Sequence, residues 1–105
     1  MEQILEHKPD NVLTADSMAF TITAVVFYNI RNPQKAIFDV ENYQTAMMNL
    51  ADGTLRNECG RLAARELPAA RQKIAVQLRS QLDEGTAPWG ITIRLVEITH
   101  MEKDG

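Results

Sequence analysis

Residues 18–30 alternate in polarity, and this stretch constrains the fold more than any other part of the chain. In a β-strand successive side chains point to opposite faces, so residues two apart lie together. The alternation therefore predicts a long antiparallel strand with one face on a core. The apolar face is predicted to consist of Met18, Phe20, Ile22, Ala24, Val26, Tyr28 and Ile30.

A second constraint is the junction formed by residues 87–90, Ala-Pro-Trp-Gly. Pro88 disfavours a helical conformation at Ala87, so a helix that arrives there must end. Gly90 leaves the backbone free to turn, and a strand is predicted to follow. Its apolar residues change phase, since 91, 93 and 95 share one face and 96 and 98 the other. Either both faces are covered there, or a bulge shifts the register.

Helical spacings fill the region between these strands. Apolar residues three and four apart over 43–62 predict an amphipathic helix, in which Asp52 and Arg56 form a pair. Pro68 is suited to the first turn of another helix. That helix would bury a stripe of Ile74, Leu78 and Leu82.

Glycine and proline mark the remaining boundaries. Pro33 is predicted to start a short helix that ends near residue 38 or 40. Gly53 or Gly60 would mark a close packing contact, and Gly85 would cap the second long helix. Residues 3–5 favour an edge strand. A short extended piece at 12–14 lies between turns at 7–11 and 15–17.

Length and charge exclude several classes of protein. The 105 residues suffice for one domain, and a net charge of −3 without a lysine–arginine cluster does not suggest nucleic-acid binding. No apolar run approaches the roughly 20 residues that a membrane-spanning helix requires. The first residues lack the pattern of a signal peptide. We expect a soluble module.

Few residues are candidates for chemistry. Cys59 is interpreted as a packed thiol, because a nucleophile would need a nearby histidine or positive field. His7 and His100 lie in end segments and form no metal-binding spacing with it. No phosphate-binding loop is present. The sequence therefore predicts no catalytic, cofactor-binding or metal-binding residues.

Two surfaces are candidates for binding. Arg56, Arg61 and Arg65 are spaced to form a basic strip, for which an ordinary charged surface is favoured over a lipid-headgroup site. The exposed edge of the early strands is the stronger candidate, because unpaired backbone groups there invite another strand or subunit. Trp89 is interpreted as a structural plug rather than a partner contact.

The order and spacing of several blocks resemble one known family. Residues 12–22 resemble its "VLTKDNVSVTV" segment, and residues 24–36 resemble "AVVYYRVxDPxKA". Residues 89–91 and 96–98 are similar to its "WGIxVxxVEI" close, and 40–43 and 54–57 also match. The family is the stomatin/prohibitin/flotillin (SPFH, or band 7) domain, and the stomatin-like branch fits best. Residues 60–68 depart from its pattern, being more basic and containing a proline.

The resemblance implies an α+β fold, with a small curved, mostly antiparallel sheet packed against two to three helices. It implies that residues 1–105 form a single SPFH core, excised from a longer membrane-anchored protein. The implied function is non-catalytic self-assembly that scaffolds membrane microdomains. The alternative is a prohibitin-like regulatory subunit that restrains a membrane-bound AAA protease. Implied partners are further copies of the chain and an NfeD-type membrane protein or a membrane protease, with membrane association through segments outside this chain.

Overall fold

The computed structural model describes residues 2–31 and 42–105. These residues form an antiparallel sheet with helices on one face, in agreement with the predicted α+β class. The predicted short helix after Pro33 lies outside the described residues. The strands are β1 (Glu2–His7), β2 (Val12–Leu13), β3 (Ala19–Ile30) and β4 (Ile91–Lys103), and the helices are α1 (Tyr43–Cys59) and α2 (Leu67–Thr86).

Strand β3 is the centre of the sheet. It pairs with β4 along one edge, and with β1 and then β2 along the other, always antiparallel. The predicted apolar face is confirmed for Ile22, Ala24, Val26 and Tyr28, which are fully buried. It is wrong for Met18, which precedes the strand and is 36% exposed. Phe20 and Ile30, near the strand ends, are partly buried against the same core.

Strand β4 contains two register shifts relative to β3. Ile93 pairs with Tyr28 and Leu95 with Phe27, so Arg94 is an extra residue, and Thr99 is a second one further along. An extra residue reverses which face the following side chains occupy. The bulge alternative is therefore correct, and it allows Ile91, Ile93, Val96 and Ile98 all to be buried.

Both long helices lie close to their predicted positions. The side-chain oxygen of Asn42 accepts a hydrogen bond of 3.1 Å from the Thr45 backbone N–H and so caps α1. Pro68 lies in the first turn of α2, as predicted. The buried stripe of α1 is Met47, Ala51, Leu55 and Cys59, and that of α2 includes Ile74, Leu78 and Leu82.

The interpretation of the glycines requires a correction. The sequence predicts that Gly85 caps α2, but the helix continues to Thr86 and Gly85 lies against α1. A Cβ atom at Gly85 would lie 2.4 Å from Cδ2 of Leu50, whereas one at Gly53 would meet nothing within 4 Å. A Cβ at Gly60, the other predicted contact, would lie 3.1 Å from the backbone oxygen of Arg56 and 4.0 Å from that of Leu13. The tighter contact is at Gly85, because helix packing, which local sequence does not reveal, places it against Leu50. Gly90 has a φ of 75° and forms the predicted turn before β4.

Candidate interaction surfaces

The lone cysteine, Cys59, lies in the core and not at a surface site. Cys59 is fully buried, and desolvation raises the pKa of its thiol to about 11. Thiolate is therefore scarce at neutral pH, which opposes the interpretation of Cys59 as a nucleophile. In residues 2–31 and 42–105, no group of three or more His, Cys, Asp or Glu side chains is placed to hold a metal ion.

His7 instead belongs to a cluster that joins β1 to α1. Its Nε2 lies 3.0 Å from Oδ1 of Asp52, and Arg56 Nε donates to Oδ2 of the same carboxylate at 2.9 Å. The remaining guanidinium nitrogens donate to the backbone carbonyls of Asn11 and Asp10. The predicted Asp52–Arg56 pair is confirmed, while the participation of His7 had no sequence signal, because it lies 45 positions from Asp52.

This cluster changes the acidity of Asp52. Partial burial alone would raise the pKa of its carboxyl group, but hydrogen bonds from His7 and Arg56 and the charges of these residues outweigh it. The pKa of Asp52 consequently lies below its usual value. The cluster connects the β1–β2 segment to α1 and leaves Arg56 engaged in intramolecular contacts.

At the opposite edge of the sheet, which β4 forms, side chains of α2 bind the strand backbone. Oδ1 of Asp83 accepts a hydrogen bond of 3.0 Å from the backbone N–H of Ile93. Nε of Arg79 donates at 3.0 Å to the backbone carbonyl of Arg94, the first bulged residue. Side chains thus satisfy backbone groups of β4 where the ladder is irregular, which makes that position unsuitable for pairing with another strand.

The sheet face away from the helices carries an apolar row. The strand register aligns Ile4 with Phe27 and Phe27 with Leu95, and Ile4 is 64% exposed. The Arg94 guanidinium lies 5.4 Å from the centre of the Phe27 ring and forms an ion pair with Glu2. With Phe27 and Leu95 partly exposed beside Ile4, this row offers apolar side chains to a contact on the open sheet face.

An adjacent row on the same face is acidic. Glu6 pairs with Val25, and Val25 pairs with Glu97, so two carboxylates flank one apolar side chain. Both glutamates are exposed, and neither forms an ion pair within residues 2–31 and 42–105. No local sequence pattern indicates this surface, because only the strand register aligns the two rows.

The basic residues form a different group from the predicted strip. Arg61 and Lys73 line a hollow of about 210 Å³ between the end of α1 and α2, together with Glu58 and Leu62. Arg65 lines a neighbouring hollow that also includes Leu62 and Lys73. The guanidinium of Arg56 binds Asp52 and two backbone carbonyls. The basic group therefore consists of Arg61, Arg65 and Lys73, and not of Arg56, Arg61 and Arg65 as in the predicted basic strip.

None of the described helices is long and apolar enough to cross a membrane. Strand β1 pairs with β3 along one of its edges. The predicted role of its other edge in binding a further strand or subunit stays a prediction.

The chain matches a known protein family over nearly its whole length. The model of the SPFH domain / Band 7 family matches residues 2–104. The chain therefore belongs to the SPFH domain / Band 7 family, as the sequence blocks indicated.

Individual relatives indicate the stomatin-like branch. A stomatin homologue of Pyrococcus horikoshii is 35% identical over 100 residues, which cover 95% of this chain and 38% of that protein. Stomatin-4 of Caenorhabditis elegans is 34% identical over 90 residues, covering 86% and 32% respectively. An uncharacterised protein of Archaeoglobus fulgidus is 40% identical over 91 residues, covering 87% and 36%. The chain thus spans about a third of the length of these relatives.

Proposed function

We propose that this chain is a non-catalytic, self-assembling domain of a stomatin-like, membrane-associated protein, in which it scaffolds membrane complexes. The observation that carries the proposal is the outer sheet face, where the exposed side chain of Ile4 is aligned with the partly exposed side chains of Phe27 and Leu95. Burying such a row against another protein surface would remove apolar area from water at a favourable free energy of about 25 cal/mol per Å².

Membership of the family and the similarity to stomatin homologues support the membrane association. In this proposal the domain contributes a protein–protein contact, and other parts of the whole protein contribute attachment to the membrane. Residues 1–105 would act as one folding unit. The prohibitin-like alternative, in which the domain restrains a membrane-bound AAA protease, stays a prediction, as does an NfeD-type partner.

The mass and composition of the native complex test this function. The whole protein that contains this domain would be extracted gently from its membrane and analysed by native mass spectrometry. We expect a large particle that contains only this subunit. Co-elution of a protease at a fixed ratio would instead favour the prohibitin-like alternative, and a monomer without membrane association would contradict both.

A further inference from the structure

Two surfaces of this domain are complementary in charge and in apolar character. The first, here called the acidic sheet patch, consists of Ile4, Val25, Phe27, Leu95, Glu6 and Glu97 on the outer sheet face. The Arg94 guanidinium lies over the Phe27 ring in this patch, but its charge is paired with Glu2, so Glu6 and Glu97 leave the patch negative. Its carboxylates lie directly beside apolar side chains. A partner suited to this patch would therefore present apolar groups together with positive charge.

The second surface lies where α1 ends and α2 begins. This basic helix-end patch consists of Arg61, Leu62, Arg65, Ala69 and Lys73, which line two adjoining hollows. None of its three cations forms an ion pair within residues 2–31 and 42–105. Glu58 and Glu66 also line the hollows, so the three cations outnumber the two carboxylates by one and the patch has a net positive charge. The Glu66 carboxylate also accepts a hydrogen bond of 2.8 Å from the Ala63 backbone N–H.

Apolar exposure continues along α2 beside this patch. Val76, three positions after Lys73, is 56% exposed, while Leu62 is partly buried against the core. The basic helix-end patch therefore combines positive charge with apolar side chains, as the acidic sheet patch requires of a partner. The two patches lie on different sides of the domain, because the helices cover the face of the sheet opposite to the acidic patch.

We propose that the acidic sheet patch of one copy binds the basic helix-end patch of the next copy, in a head-to-tail contact. The inference deepens the proposed self-assembly and rests on it. Neither patch suits a symmetric contact with itself, because two copies would bring like charges together, which is unfavourable. A contact between two different patches leaves one patch free at each end, so copies add repeatedly and close into a ring if the rotation between them permits.

Charge reversal on each side tests the contact in the 105-residue chain. The sheet variant carries Glu6→Lys and Glu97→Lys, and the helix-end variant carries Arg61→Glu and Lys73→Glu. Sedimentation velocity over a range of concentrations would measure self-association. We expect each variant alone to associate at least about tenfold more weakly than the original chain, since like charges would then face each other. Mixing the two variants should restore association, because each reversed patch then meets a complementary one.

Matched controls separate this contact from a general effect of net charge. Glu84→Lys with Glu102→Lys changes the charge as the sheet variant does, and Arg71→Glu with Lys103→Glu matches the helix-end variant. All four control positions are exposed and lie outside both patches. The controls should associate like the original chain. Circular dichroism of every variant would verify that the fold is retained.

The outcomes distinguish this inference from the proposed function. If the original chain stays monomeric at every concentration, both are wrong. If the chain self-associates and either charge-reversal variant does so equally well, only the head-to-tail contact is wrong. A helix-end variant that loses binding to vesicles of anionic phospholipid, yet still self-associates, would assign the basic helix-end patch to lipid headgroups and overturn the inference.

Discussion

The two edges of the sheet are attached to the helices by different interactions. At β4, side chains of α2 bind the backbone directly, through Asp83 on Ile93 and Arg79 on Arg94. At β1, the His7–Asp52–Arg56 cluster joins charged or titratable side chains to α1. The Asp83 contact satisfies a partly buried backbone N–H, whereas the Asp52 contacts at β1 depend on ionisation. We therefore expect the β4 edge to contribute more to stability and the β1 edge to respond more to pH.

Removal of the Asp83 carboxylate should have the largest effect. Asp83→Ala leaves the partly buried N–H of Ile93 without its acceptor, and we expect a loss of about 1–3 kcal/mol in the free energy of unfolding. Urea denaturation would measure it. The neighbouring exposed residue offers a control, since Glu84→Ala removes the same charge and should change stability by less than about 0.5 kcal/mol. Equal effects of the two substitutions would show that the hydrogen bond does not stabilise the β4 edge.

Alanine substitutions at Gly53 of α1 and Gly85 of α2 test how closely the two helices approach each other. Gly53→Ala should stabilise the domain by about 1 kcal/mol, because alanine favours the helix and the added Cβ meets nothing. Gly85→Ala should bring no such gain, because Leu50 must leave its rotamer at a cost of about 0.5–1.5 kcal/mol.

A double substitution tests whether the Leu50 side chain is what opposes a Cβ atom at Gly85. In a Leu50→Ala background, Gly85→Ala should become stabilising by about 1 kcal/mol, since the obstructing side chain is gone. Thermal and urea unfolding of the four chains would measure the coupling. A gain from Gly85→Ala in the original chain equal to that from Gly53→Ala would contradict the close approach of the helices.

The smallest expected effect concerns pH at the β1 edge. The pKa of Asp52 is lowered in the folded chain, so its stabilising contribution is complete above the unfolded-state pKa of about 3.9 and is lost as pH falls through the folded value. Asp52→Asn should therefore cost about 0.5–1 kcal/mol at pH 7 and progressively less below about pH 4.

Unfolding by urea between pH 3 and pH 7 would measure this dependence. Glu102→Gln serves as the control, because it removes one exposed carboxylate from β4, outside the cluster. A difference between Asp52→Asn and the original chain that stays constant over this pH range would refute an ionic role for the cluster.

Local patterns in the sequence determined the elements of the described fold. The alternation over residues 18–30 predicted β3 and its buried face, because a strand exposes every second side chain to the same environment. Pro68 and the sequence around Pro88 placed the two ends of α2 to within a few residues, since proline acts through its own backbone geometry. The ordered blocks along the chain also indicated the family correctly.

Contacts between residues far apart in the chain follow from how the strands and helices pack. His7 joins Asp52, Gly85 contacts Leu50, and the extra residue Arg94 aligns Leu95 with Phe27 and Ile4. The sequence allowed either a bulge or two covered faces in β4, and packing against both β3 and the helices selected the bulge. The acidic sheet patch likewise depends on strand register, which no single segment encodes. Interactions between residues close in the chain are determined by local geometry, whereas these contacts exist only once separate elements have packed together.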